Sequence, residues 1–237
     1  MSMDIQADPN VGVARIAAAI GEPARARMLF CLLDNRARSS TELALVADVS
    51  PSTASVHLHR LRADGLLNVL VQGKHRYYSL GGRDVARALE GLSLLASGPS
   101  ERAAVPAHLR AARTCYDHLA GLLGVALHDR LMDLGWIAGV AAGGREAYDL
   151  TPTGTRGLEA LGVDVVGARE RRRRFAFPCV DWSERRPHLG GALGAVLLEA
   201  ALKKRWLVRE RDSRAVSVTG TGRREMLGRL GLSTPRD

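Results

Sequence analysis

The sequence predicts a mainly α protein with small β-hairpins, an α+β chain of two domains. Three observations lead there. The 237 residues, 46% of them hydrophobic, are more than one small domain needs and enough to fill two cores. The N-terminal part strings short runs of helical spacing together and follows them with two β-rich runs around a glycine-containing turn. The stretch HLAGLLGVAL, residues 118–127, returns as HLGGALGAVL, residues 188–197, with six of ten positions identical, and Trp136 and Trp206 keep the same offset.

Residues 11–33, VGVARIAAAIGEPARARMLFCLL, carry apolar side chains at helical spacing on either side of Gly21 and Pro23, which predicts two short helices with a break. Ser39-Ser-Thr-Glu42 predicts the start of a third, because Ser39 can accept from first-turn amides while Glu42 reaches back to the cap. Asp48-Val-Ser50 ends it. Ser50 then caps a fourth helix whose first residue, Pro51, needs no amide partner; this helix runs to about Asp64 and stops at Gly65.

In the fourth helix Ala54, Leu58 and Leu61 form one apolar stripe, with His57 read as a core-edge histidine bonded to backbone. Ser52, Thr53, Ser55, Val56, His59, Arg60 and Arg62 are left on the remaining surface. Small hydroxyl groups can approach base edges in a major groove, and a helix N-terminus favours phosphate nearby. Leu66 to Val71 and Tyr77 to Leu80 flank Gln72-Gly-Lys74-His75-Arg76, a predicted hairpin whose Lys74 and Arg76 can meet phosphates beside the helix. Helix followed by hairpin is the order of a winged helix-turn-helix. The charge balance agrees: 34 Lys and Arg against 25 Asp and Glu, a net +9, favour a polyanionic partner. Nucleic acid is expected rather than a membrane, since no apolar run reaches the roughly 18 residues of a spanning helix. The first 20 residues lack the layout of a secretory signal, and a cytoplasmic chain with three reduced cysteines, Cys31, Cys115 and Cys179, is expected.

The run TELALVADVSPSTASVHLHRLRADGLL followed by VQGKHRYYSL resembles the DNA-binding core of ArsR/SmtB-type winged-helix repressors. Their pattern is ELA, then SxSxxSxHLxxLxxAGL, then a G(K/R)xxYYxL wing, and the likeness covers roughly residues 11–96, about two fifths of the chain. The resemblance implies a homodimeric transcriptional repressor on a double-stranded DNA operator. It places the dimer seam on the helix from about Arg83 to Leu95, with Val85, Leu89, Leu92 and Leu95 apolar. Metal-sensing relatives carry thiolates in the helix that here reads Glu42 to Asp48, or Asp and His ligands along the dimerisation helix. The first segment has no cysteine and residues 83–96 have no histidine, so sensing has moved, been lost, or passed to the rest of the chain. Cys31, in MLFCLL, is expected to be a buried inert thiol.

Three parts are expected: a DNA-binding and dimerisation domain over 1–96, a linker over 97–106 (SGPSERAAVP), and a duplicated sensor or interaction domain over 107–237. Its repeats span about 115–166 and 185–235, each read as helix, strand, turn, strand, helix, a reduced winged-helix-like unit. Thr151-Pro-Thr-Gly154 and Thr219-Gly-Thr-Gly222 open the last helices, and the copies are expected to pack face to face. Gly121 and Gly124, matched by Gly191 and Gly194, are expected to let two helices approach closely. Trp136 and Trp206 are read as core anchors. Arg169-Glu-Arg-Arg-Arg-Arg174 is read as a solvated connection or as an added anion-binding segment.

Cys115 and His118 precede the first copy, three residues apart and on one face if helical, while Cys179, Asp181 and His188 lead into the second. Together they form a candidate sulfur and nitrogen site for zinc or a softer ion at the seam. Thiol redox sensing, an organic ligand and a purely structural seam are the other readings, so the effector and any cofactor beyond a possible metal ion stay unknown. A Cys-His enzyme fused to a DNA-binding domain is the alternative of a different class. The chain has no Gly-rich phosphate loop, HExxH or G-x-S-x-G, and no enzymatic activity is expected.

Overall fold

The computed structural model describes residues 9–73, 75–98, 105–142, 144–211 and 213–233. The chain divides into two compact units, Met1–Leu89 and Glu90–Asp237. Part of the expected linker, residues 99–104, lies outside the described residues, as does Lys74.

The first unit opens with α1 (Pro9–Ile20) and α2 (Pro23–Cys31), broken at Gly21 as the sequence predicts. A single 3-10 turn (Leu32–Asp34) leads to β1 (Arg38–Ser39), and Arg38 grips the buried Asp34 carboxylate at 2.9 and 2.8 Å. The cap at Ser39 forms as its residues dictate: the Ser39 amide donates to Glu42 and the Glu42 amide to Ser39, opening α3 (Ser40–Ala47). Asp48 turns the chain with a left-handed φ of 55°, and Ser50 caps α4 (Pro51–Ala63) by accepting from the Thr53 amide. Strands β2 (Leu67–Gln72) and β3 (His75–Leu80) pair in register from Leu67 with Leu80 to Gln72 with His75, and β1 adds to β3 in a three-stranded sheet. Three helices, a recognition-type helix and a paired wing make this unit a winged helix-turn-helix. Helix α5 (Arg83–Ala96) follows.

Beyond α5 come α6 (Ala107–Ala111) and two runs of the same order: hairpin, helix, hairpin, helix. The first run is β4 (Arg113–Cys115), β5 (His118–Ala120), α7 (Gly121–Asp133), β6 (Ile137–Ala142), β7 (Arg145–Leu150) and α8 (Pro152–Ala160), followed by α9 (Val165–Glu170). The second is β8 (Phe177–Val180), β9 (Pro187–Gly190), α10 (Gly191–Lys203), β10 (Leu207–Arg209), β11 (Val216–Val218) and α11 (Gly220–Gly222), which continues as a π-helical stretch, Arg223–Gly228. Thr151 and Thr219 cap the last helices by accepting from the amides of Gly154 and Gly222. Each of those glycines is required, since a Cβ would lie 2.0 Å from the Trp136 or Trp206 carbonyl oxygen. One core, with Leu123, Leu127 and Leu131 from α7 and Leu193, Val196 and Leu197 from α10, joins the two runs. Trp206 is buried in it and Trp136 packs against it.

The structure alters two expectations about the repeat. His118 and His188 lie on strands, not at the start of helices, because Gly121 and Gly191 take φ of 76° and 96° and break the chain direction before α7 and α10 begin. The glycines do not bring α7 and α10 together. Each helix packs instead on the other run's hairpin, α7 on β9 and α10 on β5. A Cβ at Gly124 would lie 3.6 Å from the Cβ of His188, and one at Gly194 would lie 3.1 Å from that of His118. The tighter limits come from each helix's own strand, 2.6 Å to the Leu119 carbonyl oxygen at Gly124 and 2.2 Å to that of Leu189 at Gly194, and at Gly194 the opposite copy's His118 adds a second.

Candidate functional site

The outer face of α4 is the first candidate site. Ala54, Leu58 and Leu61 are fully buried and fix the helix on its unit, leaving Ser52, Thr53, Ser55, Val56, His59 and Arg60 exposed. The Ser52 and Thr53 hydroxyls join that of Ser50 at 2.8 and 2.9 Å, so the cap and the N-terminal surface share one hydroxyl cluster. Arg60 is held by Asp64 at 2.8 Å, which keeps its guanidinium along the helix. His57 differs from expectation: its Nδ1 lies 3.3 Å from the Arg25 guanidinium and 3.7 Å from Glu22, so side chains rather than backbone are its neighbours. Arg76 is exposed on the wing. On α5 Leu92 and Leu95 are exposed and Val85 is half-buried, but Leu89 is fully buried and belongs to the protomer's own core.

The second candidate site is in the C-terminal unit. Cys115 and His118 face each other across the β4–β5 hairpin, and Cys179 and His188 face each other across β8–β9. The helical reading of Cys115 to His118 is corrected here: a tight turn with Tyr116 at φ 56° sets them side by side. The two hairpins meet at β5 and β9. There the thiol sulfurs stand 4.0 Å apart, the imidazoles stack with centroids 5.0 Å apart, and one donor atom from each residue lies within 4.8 Å of every other. Cys115, His118 and His188 are buried. His118 Nε2 and both nitrogens of His188 find no hydrogen-bond partner among the described residues.

Asp181 stands outside this foursome. Its carboxylate accepts from Arg113 at 2.7 Å, from the Gly121 amide at 2.7 Å, and from the Ser183 and Glu184 amides. It thereby caps α7, a helix whose own cap residue, Ala120, has no side chain to offer. Burial would raise this carboxyl, but the Arg113 charge, His188 and the amides outweigh it and hold it well below the usual range. Asp117 is the matching residue of the first hairpin, which the repeated Cys-x-Asp spelling at 115–117 and 179–181 could have flagged. It accepts from Arg173 and lies 3.2 Å from His118 Nδ1. Burial would raise Asp117 too, but the His118 and Arg173 hydrogen bonds bring it down to about 2. Each hairpin therefore sets an aspartate beside its own histidine, with Asp181 Oδ2 3.8 Å from His188 Nδ1, and each aspartate holds an arginine, Arg173 from the segment between the runs and Arg113 from β4.

The same burial pushes the His188 imidazole well below its ordinary value, with His118 alongside adding to the effect. The hydrogen bond to Cys179, then burial, pushes the Cys115 thiol well above its own. For His118 burial opposes the charge, yet Cys115 and Asp117 together hold it up at about 10.

Four arginines of the run have partners within the unit. Arg169 reaches Asp149 and stacks on Phe175, Arg171 pairs with Glu199, Arg173 with Asp117, and Arg174 lies over Phe177. The solvated reading describes Arg169, which is exposed, but not Arg173, which is largely buried against Asp117.

A winged helix-turn-helix with an exposed small-polar recognition face defines a DNA-binding transcriptional regulator. A family model described as a helix-turn-helix domain matches residues 20–69. The chain is 36% identical over 218 residues, 90% of its length and 95% of the relative's, to the uncharacterized HTH-type transcriptional regulator YdfF of Bacillus subtilis (strain 168). It belongs to that family of HTH-type transcriptional regulators. Among solved structures it is similar to HlyU from Vibrio cholerae, at 27% identity over 38% of this chain and 98% of that one, with a TM-score of 0.35. It is also similar to the homodimeric winged helix-turn-helix DNA-binding domain (fragment 1–100) of Mb0332 from Mycobacterium bovis, at 30% identity over 40% of this chain and 90% of that one, again with a TM-score of 0.35.

Proposed function

We propose that the chain is a cytoplasmic homodimeric repressor of transcription that binds an inverted-repeat operator. In this reading the C-terminal unit adjusts DNA affinity in response to a signal and catalyses no reaction. The observation that carries the reading is the division of α4 into a fully buried Ala54, Leu58, Leu61 face and an exposed face of Ser55, Val56 and His59. Such a face can enter a major groove without large side chains in the way, Val56 against a thymine methyl and His59 or the hydroxyls against base edges. The wing, with Lys74 and Arg76, supplies backbone contacts that set register and carry no sequence information. No helix among the described residues is long and apolar enough to cross a membrane. A signal at Cys115, His118, Cys179 and His188 alters DNA binding only if it favours one of two arrangements of the recognition helices over the other.

Fluorescence anisotropy on the DNA upstream of the chain's own coding sequence, against a scrambled duplex and at several salt concentrations, tests this. His59→Ala is expected to lose about 5- to 100-fold on the operator and little on the scrambled duplex, the worth of a base contact. Arg76→Ala is expected to weaken both alike and to reduce the salt slope by about one. Equal loss on both duplexes for His59→Ala removes its base-reading role, and a wild-type protein that does not distinguish the duplexes removes the regulator reading.

A further inference from the structure

We propose that Cys115, His118, Cys179 and His188 bind one zinc(II) ion that ties the β4–β5 hairpin to the β8–β9 hairpin. The inference goes beyond the regulator reading and stands apart from it.

The donor set is two thiols and two imidazoles, the composition that favours a tetrahedral zinc-class ion over magnesium or calcium. The spacing suits it: zinc–sulfur bonds of about 2.3 Å in a tetrahedron put the sulfurs roughly 3.8 Å apart, and here they are 4.0 Å apart. The remaining donor atoms, all within 4.8 Å of one another, need only small side-chain rotations to close on a common centre.

Burial decides between this and the other occupants of the seam. An imidazole nitrogen removed from water without a partner is costly, and three such nitrogens are buried here, His118 Nε2 and both of His188. A Cys115–Cys179 disulfide would use the sulfurs and leave all three nitrogens as they are. A purely apolar seam would not place them there. One divalent cation with two thiolates and two neutral imidazoles is electrically neutral, which suits a buried centre, and it engages one nitrogen of each ring.

The surroundings orient the rings for that task. Asp117 lies at 3.2 Å from His118 Nδ1, turning Nε2 toward the centre, and Asp181 Oδ2 lies 3.8 Å from His188 Nδ1. A carboxylate on the far nitrogen is the usual support of a metal-bound histidine. Both aspartates are themselves anchored across the seam, Asp117 by Arg173 and Asp181 by Arg113. Gly194 leaves room for His118, since a Cβ there would lie 3.1 Å from the Cβ of that histidine. This arrangement also explains the duplication: each copy contributes one Cys, one His and one Asp, and neither copy alone can complete four ligands.

The test uses the full chain without an affinity tag, purified reduced and without chelator. Elemental analysis is expected to find close to one zinc per chain. After chelation, cobalt(II) titration is expected to give visible absorption of tetrahedral cobalt together with a near-ultraviolet sulfur-to-cobalt band, both lost on adding one equivalent of zinc. Cys179→Ser and His188→Asn are each expected to lower zinc retention at least tenfold. Since either variant can also unfold, Asp117→Asn is measured alongside: it leaves all four ligands in place and is expected to weaken zinc binding about 10- to 100-fold. A reduced wild type that takes up neither ion, a cobalt spectrum without the sulfur band, or a spectrum unchanged by Cys179→Ser overturns the proposal. So does a chain that takes no metal and instead forms a Cys115–Cys179 disulfide. Anisotropy on the same samples separates the two ideas: zinc bound without operator recognition sinks the regulator reading alone, and operator recognition without metal binding sinks the zinc site alone.

Discussion

Arg113 is among the most buried side chains of the protein, at 1% exposure, and its guanidinium is shared among Asp181 at 2.7 Å, Ser183 at 3.1 Å and the Leu109 carbonyl at 3.1 Å. Removing one partner of such a pair leaves an uncompensated charge out of water, so Asp181→Asn is expected to cost about 3–5 kcal/mol. Replacing both, as Arg113→Met with Asp181→Leu, is expected to recover most of that loss. A residual of about 1–2 kcal/mol should remain, because the Gly121 amide at the start of α7 then has no acceptor. Urea unfolding of the wild type and the two variants checks the order; a double variant as unstable as the single would mean that the ion pair is not what Asp181 contributes. The residue scale is also where the sequence was least legible. Cysteine and histidine spacing pointed to four residues that the fold brings together, but Asp181 looked like a fifth member because nothing in the spelling reveals that Arg113, 68 positions earlier, claims it.

Elements were legible where their ends carry chemistry. The caps at Ser39, Ser50, Thr151 and Thr219 each marked a helix start that the structure contains, because a hydroxyl acceptor three residues before an amide leaves few other conformations. The hairpins β4–β5 and β8–β9 were not legible. His118-Leu-Ala and His188-Leu-Gly continue the apolar spacing of the helices that follow, and only the left-handed φ at Gly121 and Gly191 separates strand from helix. The second glycine of each helix carries the packing consequence. A Cβ at Gly194 would sit 2.2 Å from the Leu189 carbonyl oxygen and 3.1 Å from the Cβ of His118, so Gly194→Ala must shift the helix from its own strand and from the opposing hairpin. We expect a loss of about 1–3 kcal/mol in urea unfolding. Gly12→Ala, exposed in α1 with nothing within 4 Å of the added atom, is expected to gain up to about 1 kcal/mol instead. Equal effects at the two sites would mean that helix propensity, not the close contacts with Leu189 and His118, governs Gly194.

At the scale of the whole molecule, one winged helix reads only a few base pairs, and a regulator gains both affinity and site selection by presenting two of them to an operator with matching twofold symmetry. The resemblance in the N-terminal part assigned that pairing to the helix now seen as α5, and its burial pattern narrows the seam. Leu89 is spent inside the protomer, whereas Leu92 and Leu95 are 41% and 84% exposed on the same helix. Apolar side chains left in water on a helix whose other face is buried are what a second copy would cover. A Leu92→Glu, Leu95→Glu double variant is therefore expected to sediment as a monomer with its far-ultraviolet circular dichroism intact, since neither side chain supports the fold. Its affinity for a single half-site should stay near that of the wild type. On the full inverted repeat it should fall by about a hundredfold or more, the advantage lost when the second half-site is no longer tethered to the first. A variant that still sediments as a dimer would move the interface off α5. A true monomer that binds the full repeat as tightly as the wild type would instead mean that a single chain makes all the operator contacts.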